Sequence, residues 1–125
     1  LPRLKTDLVK IFINSINDKL NITKINWRKE KSMTIVVCSK GYPGNYKKNI
    51  EIKNINKIKL GKKSFIYHAG TKLENGNLLS NGGRVLNVTS TGNNFLDIRK
   101  NIINLIKKLN WKYGFFRKDI GWKVI

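Results

Sequence analysis

The sequence is short of several residue types that catalytic and metal-binding proteins use. Its 125 residues include one cysteine, one histidine, two prolines and only seven acidic residues. A single cysteine, Cys38, can form neither an internal disulfide nor a cysteine-based zinc site. One histidine and scattered acids supply no catalytic triad, and no phosphate-binding loop of the Walker or dinucleotide type is present. We therefore expect no catalytic residue and no metal site in this chain.

Long apolar runs are missing as well. No stretch approaches the roughly 20 consecutive apolar residues that a membrane-spanning helix needs, and the first residues lack the apolar core of a secretory signal. Apolar residues make up 40% of the chain and charged residues 26%, a balance typical of one globular domain, or of one domain with a piece of another. We expect a cytoplasmic protein without a membrane partner, in which Cys38 fills core space.

The charge is strongly basic, with a formal net charge of +19 at pH 7. Such a charge favours a small domain that binds nucleic acid or another polyanion. However, the cations are 21 lysines and only 5 arginines, and lysine, asparagine and isoleucine together account for 55 of the 125 residues. All three have AT-rich codons, and the lysines are dispersed. Genome composition therefore explains the charge at least as well as nucleic-acid binding does, and binding of nucleic acid is kept as the alternative function.

Two segments have the apolar spacing of amphipathic helices. Residues 4–20 predict a helix that starts without a capping residue and whose apolar stripe needs a partner, so we expect a piece of something larger, with a boundary near Arg28. Asn93 or Asn94 is expected to cap the second helix. The apolar face of the first helix is Leu4, Leu8, Ile11, Phe12, Ile16 and Leu20, and that of the second is Phe95, Ile98, Ile102, Leu105, Ile106 and Leu109.

The remaining segments predict strands. The β-branched run from Met33 to Cys38 favours a central strand that is covered on both faces. Residues 47–63 predict short edge strands and turns. Further strands are expected at 64–69, 71–73, 78–80 and 84–89, with an Asn-Gly hairpin turn at 74–77 and an aromatic tail at 113–122 packed back on the sheet. The fold class is α+β: a mostly antiparallel, barrel-like sheet with one packed helix, preceded by the first helix.

Anion binding is the one chemistry that the residues themselves suggest. Asn81, Gly82 and Gly83 place flexible backbone N–H groups beside the Arg84 guanidinium, a combination that can hold a phosphate. In a regular strand Arg84 shares a face with Leu86 and Val88 and needs a partner there. That partner is a ligand phosphate, Asp119 or Glu74, and Lys72 could reach the same place.

Other polar residues have a structural interpretation beside the functional one. The loop of Lys40, Gly41, Tyr42, Pro43 and Gly44 either approaches a ligand closely or only joins strands. His68 is expected to be a hydrogen-bonded core histidine. Arg117 and Asp119 are expected to form an ion pair.

Four motifs resemble a known family when they are taken together. Residues 40–46 (KGYPGNY), 68–72 (HAGTK), 81–89 (NGGRVLNVT) and 117–121 (RKDIG) resemble, in this order and spacing, the carboxy-terminal domain of phosphoribosylamine–glycine ligase, also called glycinamide ribonucleotide synthetase. Residues 1–8 (LPRLKTDL) resemble the stretch that closes the ATP-grasp domain of that enzyme. The resemblance covers essentially the whole chain.

The resemblance implies a function in purine biosynthesis. Enzymes of this family use ATP to activate glycine as an acyl phosphate, which the amine of 5-phosphoribosylamine attacks to give glycinamide ribonucleotide. Residues 1–28 would then end the ATP-grasp domain and residues 29–125 would form the carboxy-terminal domain. ATP and Mg2+ would be bound by the ATP-grasp portion, so that this chain alone is inactive. Arg84 and Lys72, with Asn81, Gly82 and Gly83, would help to hold the substrate phosphate while the domain closes the cleft.

Overall fold

A computed structural model describes all residues 1–125, which form two helices and seven strands. The helices are α1 (Leu8–Ile16) and α2 (Phe95–Leu109). The strands are β1 (Lys31–Ser39), β2 (Ile50–Glu51), β3 (Ser64–His68), β4 (Thr71–Glu74), β5 (Asn77–Ser80), β6 (Arg84–Gly92) and β7 (Gly114–Phe115). Single 3-10 turns occur at Leu20–Ile22, Ile55–Lys57 and Trp122–Val124.

The strands form two antiparallel sheets. The larger sheet has the order β3-β6-β1-β7, and the smaller has the order β2-β5-β4. The connection from β4 to β5 is a two-residue turn in which Asn75 and Gly76 have positive φ angles of 50° and 77°, the geometry that asparagine and glycine tolerate best. The predicted α+β class and the hairpin are therefore confirmed.

Helix α2 packs across β6 and β1 and provides five of the twelve buried core residues. Its first turn is capped by Asn94, whose side chain accepts a hydrogen bond of 2.8 Å from the Asp97 N–H, which satisfies a donor that the helix leaves free. One face of the helix is buried, with Ile98 and Ile102 at most 2% exposed. The second predicted helix is confirmed, and Asn94 is the residue that caps it.

Strand β1 is covered on one face only, which corrects the prediction that both faces are buried. Met33, Ile35 and Val37 are buried against α2, whereas Thr34 between them is exposed. The reason is that a single helix lies on the sheet, so the opposite face has no layer to cover it. The apolar run alone could not distinguish these cases, because β-branched residues suit both.

Helix α1 differs from its prediction in length and in its start. It begins at Leu8 and has a cap, because the Asp7 side chain accepts a 3.0 Å hydrogen bond from the Lys10 N–H. No residue of α1 is buried. Four of its apolar side chains are between 52% and 81% exposed: Val9, Phe12, Ile13 and Ile16. Only Phe12 and Ile16 of this set belong to the predicted stripe, since Leu8 and Ile11 are half-buried and Leu4 and Leu20 lie outside the helix.

The tail returns to the larger sheet as expected. Strand β7 pairs with the end of β1, where Phe115 lies opposite Cys38. After β7, the tail is held by the Arg99 guanidinium of α2, which donates hydrogen bonds to the Ile120 carbonyl at 2.9 Å and to the Lys118 carbonyl. The aromatic tail is thus held by a strand pairing and by one arginine. Neither helix is long and apolar enough to cross a membrane.

Truncating the centre of α2 should destabilise the chain far more than the same change on α1. Ile102 is fully buried and Ile16 is 81% exposed. We expect Ile102→Ala to lower the free energy of unfolding by about 2–5 kcal/mol, and the matched control Ile16→Ala to change it by less than about 0.5 kcal/mol. Urea denaturation of the 125-residue chain measures both. Equal losses would contradict a core built on α2.

Candidate functional site

A β-bulge decides where the Arg84 side chain lies. Along the β1–β6 pairing Val37 faces Leu86, but the next residue, Cys38, faces Arg84, so that Val85 is an extra residue. A bulge of this kind breaks the alternation of side chains between the two faces. Leu86 remains in the core, whereas Arg84 is exposed. The expectation that Arg84 shares the apolar face with Leu86 and Val88 is therefore wrong, since it assumed a regular strand.

Arg84 lines an open cleft of about 440 Å3 at the uncovered side of the larger sheet. The other lining residues are Val36, Tyr42, Ala69, Gly83 and Asn87. We call this site the Arg84 cleft. It brings three of the four sequence motifs together: the 40–46 loop through Tyr42, the 68–72 segment through Ala69, and the 81–89 segment through Arg84 and Asn87.

Glycines allow the three segments to approach this closely. A Cβ atom on Gly83 would lie 2.0 Å from Cδ2 of Tyr42, so the tyrosine ring lies directly on the glycine backbone. A Cβ atom on Gly70 would lie 2.6 Å from the Arg84 carbonyl oxygen. That carbonyl also accepts a hydrogen bond of 2.9 Å from the Gly70 N–H. Larger residues at these two positions would separate the segments that form the cleft.

The backbone of 81–83 does not have the form of an anion nest. The Asn81 N–H donates to the Gly70 carbonyl at 2.7 Å, and the Gly83 carbonyl accepts from the Ser39 N–H at 2.8 Å. The Ser39 hydroxyl donates to the Gly82 carbonyl, also at 2.8 Å. None of the three residues has a positive φ angle, which a nest of alternating handedness requires. Contact of Asn81, Gly82 and Gly83 with a phosphate stays a prediction, and the structure uses this segment to tie β6 to its neighbours.

Arg84 has no acidic partner in the chain. The two carboxylates that sequence analysis offered to it are engaged elsewhere: Glu74 pairs with Lys72 at 3.0 Å, and Asp119 pairs with Arg117 at 2.5 Å. The third salt bridge joins residues 51 and 53. The expected Arg117–Asp119 ion pair is therefore confirmed, and the interpretation of Arg84 as half of a structural ion pair is wrong.

Several predicted site residues lie outside the Arg84 cleft. Lys72 belongs to β4 in the smaller sheet and does not line the cleft. Of the predicted loop Lys40, Gly41, Tyr42, Pro43 and Gly44, only Tyr42 lines it. Lys40 lines a separate surface cleft with Asn45, Tyr46, Lys47 and Tyr113. Gly41 has a φ angle of +101° and makes the turn that brings Tyr42 round to Gly83.

Two further side chains near the cleft, Cys38 and His68, differ from their predicted burial. Burial raises the pKa of the Cys38 thiol, and the opposing charge of Arg84 reduces that rise. Cys38 is only half-buried, so it fills less core space than expected. His68 is exposed rather than in the core, and its Nδ1 atom lies 3.0 Å from the Thr71 hydroxyl oxygen.

Sequence reasoning missed Asn87 and Val36 as lining residues. Asn87 lies opposite Val36 in the β1–β6 register, on the same open face as Arg84. The bulge that aligns Arg84 with them has no distinctive residue, because Val85 is ordinary strand material. The pair Gly82–Gly83 was the one available signal that another segment packs closely here.

Comparisons with known proteins agree with this architecture. Residues 32–123 match the family described as phosphoribosylglycinamide synthetase, C domain. The chain is 41% identical over 125 residues to a phosphoribosylamine–glycine ligase of Agrobacterium fabrum and 38% identical over 129 residues to a chloroplastic one of Arabidopsis thaliana. In both cases all of this chain is covered, but only 29% and 24% of the relative. The chain thus spans less than a third of the curated relatives that it matches.

A solved structure has the same fold. The crystal structure of a phosphoribosylamine–glycine ligase from Thermotoga maritima superimposes with a TM-score of 0.65 at 27% sequence identity. The match covers 86% of this chain and 27% of the Thermotoga chain.

The glycine contacts give a stability prediction. In Gly70→Ala the new methyl group would meet the Arg84 carbonyl, so we expect a loss of about 1–3 kcal/mol in the free energy of unfolding. Gly61 has no atom within 4 Å of its would-be Cβ, so the control Gly61→Ala should be neutral or stabilising by about 0.4–1 kcal/mol. Thermal or urea unfolding compares the two variants, and a neutral Gly70→Ala would refute the close approach.

The Arg117–Asp119 pair gives a prediction about pH. The hydrogen bond from Arg117 holds the pKa of the Asp119 carboxyl below its ordinary value. Because the pKa is lower in the folded state, the pair stabilises the chain above the unfolded pKa, and this contribution is lost as the pH falls through the folded pKa. We expect Arg117→Gln to raise the Asp119 pKa in an NMR titration. The control Lys100→Gln removes one positive charge from another part of the surface and should leave the Asp119 pKa unchanged.

Proposed function

The chain belongs to the phosphoribosylglycinamide synthetase C-domain family, and we propose that it works as the carboxy-terminal part of a phosphoribosylamine–glycine ligase. The whole enzyme would join glycine to 5-phosphoribosylamine at the expense of ATP, giving glycinamide ribonucleotide for purine biosynthesis. The proposal is supported by relatives of that name that match the chain from end to end. The observation that carries it is the free guanidinium of Arg84 in a cleft formed by three family motifs.

Arg84 would hold the phosphate of 5-phosphoribosylamine. A guanidinium presents two parallel N–H donors to a phosphate, and this one has no carboxylate of the chain within 4.0 Å to compete for them. Arg84 and Ala69 are both exposed, so water reaches this ion pair and moderates its strength. Lys72, whose ammonium is held by Glu74, would be a secondary contact. In the segment Asn81, Gly82 and Gly83 the contact would come from the N–H groups of the two glycines, since the Asn81 N–H is donated to the Gly70 carbonyl.

The amino-terminal residues would belong to a different part of the enzyme. Segments 3–5 and 26–28 are joined by backbone hydrogen bonds, from the Lys5 N–H to the Asn26 carbonyl at 2.9 Å and from the Arg28 N–H to the Arg3 carbonyl at 2.6 Å. Residues 1–28 thus close on themselves. We assign them to the end of an ATP-grasp domain and residues 29–125 to the carboxy-terminal domain. The exposed apolar face of α1 would be covered by that ATP-grasp domain.

ATP and Mg2+ would be bound outside this chain. No group of three or more His, Cys, Asp or Glu side chains here could hold a metal ion, so the residues of this chain do not fit a magnesium site and no step is assigned to one. What these residues would do is bind the sugar phosphate and close one side of the active-site cleft. On this proposal the chain alone does not catalyse ligation, and the enzyme acts in the cytoplasm on small-molecule substrates.

Removing the Arg84 guanidinium should weaken binding of one substrate selectively. In the natural polypeptide that carries these residues, we expect Arg84→Ala to raise the KM for 5-phosphoribosylamine by tenfold or more, since a hydrogen bond to a charged group contributes about 1.5–3 kcal/mol. The KM values for ATP and glycine should change little.

The control is Lys100→Ala, which removes one positive charge from the exposed side of α2. It separates a specific contact from a loss of general electrostatic attraction. An unchanged KM for 5-phosphoribosylamine in Arg84→Ala would assign Arg84 to structure. Tight, salt-sensitive oligonucleotide binding with no ligase activity would support the nucleic-acid alternative instead.

A further inference from the structure

Asn87 is a second polar side chain in the Arg84 cleft that makes no hydrogen bond within the chain. It is half-buried, and it lines the cleft together with Arg84. Neither the Asn87 nor the Arg84 side chain makes a hydrogen bond within the chain, whereas Ser39, His68 and Lys72 of neighbouring segments do. The only buried side-chain polar atom without a partner is Nε1 of Trp111, so the Asn87 carboxamide is open to solvent, and its donors and acceptor are free for a ligand.

The position of Asn87 relative to Arg84 suits the two ends of a small sugar phosphate. In the register of the larger sheet Asn87 stands between Val36 of β1 and Tyr67 of β3. Three residues along a regular strand span roughly 10 Å, and the bulge at Val85 shortens the distance to Arg84. Both side chains line the same cleft. The Arg84 side chain is charged and the Asn87 side chain is neutral.

The chemistry of the two groups is complementary. A guanidinium is a donor only and carries a permanent charge, so it selects an anion. A carboxamide both donates and accepts hydrogen bonds, as a sugar hydroxyl also does. Val36 and Tyr42 line the same cleft and offer apolar surface to the carbon skeleton of a pentose. A ligand with a phosphate at one end and hydroxyl groups at the other would pair with both the guanidinium and the carboxamide.

We infer that Asn87 is a specificity-determining residue of the Arg84 cleft, whose carboxamide binds the ring hydroxyl groups of the pentose whose phosphate Arg84 holds. This inference rests on the proposed function and names a second substrate contact for it. Asn87 would distinguish a sugar phosphate from phosphate alone, whereas Arg84 would contribute equally to both.

Two probes separate these roles: ribose 5-phosphate and inorganic phosphate, each titrated into the natural polypeptide by calorimetry. We expect Asn87→Ala to weaken binding of ribose 5-phosphate by about three- to tenfold, the effect of one neutral hydrogen bond, and to leave the affinity for inorganic phosphate unchanged. Arg84→Ala should weaken binding of both probes. Asn104→Ala, an exposed asparagine on α2, is the matched control and should alter neither affinity.

The possible results distinguish the inference from the function on which it rests. If Asn87→Ala behaves like Asn104→Ala while Arg84→Ala weakens both probes, Asn87 is not a sugar contact and the proposed function stands. Equal weakening of both probes by Asn87→Ala also overturns the inference. If Arg84→Ala changes neither affinity, the phosphate site itself is wrong. Asn87→Ser, which keeps a hydrogen-bonding group, should retain part of the preference, and thermal unfolding checks that each variant is folded.

Discussion

The packing of α2 on the β1–β6 pair is the interaction on which the rest of the structure depends. Ile102 and its neighbours on the helix close the core over one face of the larger sheet. No second layer lies on the other face, where Thr34 is exposed. One-sided coverage therefore stabilises the domain and, at the same time, leaves an open face on which polar side chains can meet a ligand.

The cleft on that open face depends on backbone geometry more than on side-chain packing. The extra residue Val85 moves Arg84 out of the buried row, and Gly70 and Gly83 let two further segments lie against the strand. A guanidinium that would be costly in the core becomes an accessible group among apolar walls. The proposed binding groups and the hydrophobic core thus lie on opposite faces of one sheet.

Much of the fold could be predicted because its signals are local. The spacing of apolar residues identified α2, an asparagine at its start identified the cap, and the Asn75–Gly76 pair identified the hairpin, since each depends on residues within one turn of chain. Apart from the length and the Asp7 cap of α1, the errors involve contacts between distant segments. Whether β1 is covered on both faces depends on how many helices pack on the sheet, and whether Arg84 shares a face with Leu86 depends on the bulge in the β1–β6 pairing.

The candidate site divides in the same way. Sequence motifs alone identified the family and indicated the Arg84 region and the 40–44 loop as separate candidates, because residues with special backbone requirements such as glycine leave a visible pattern. Only the tertiary structure decided that Arg84 lies on the open face, that Lys72 lies apart from it and that Asn87 joins it. A bulge and a strand register arise from pairing between segments about 50 residues apart, and such long-range pairing has no signature in the order of residues along one strand.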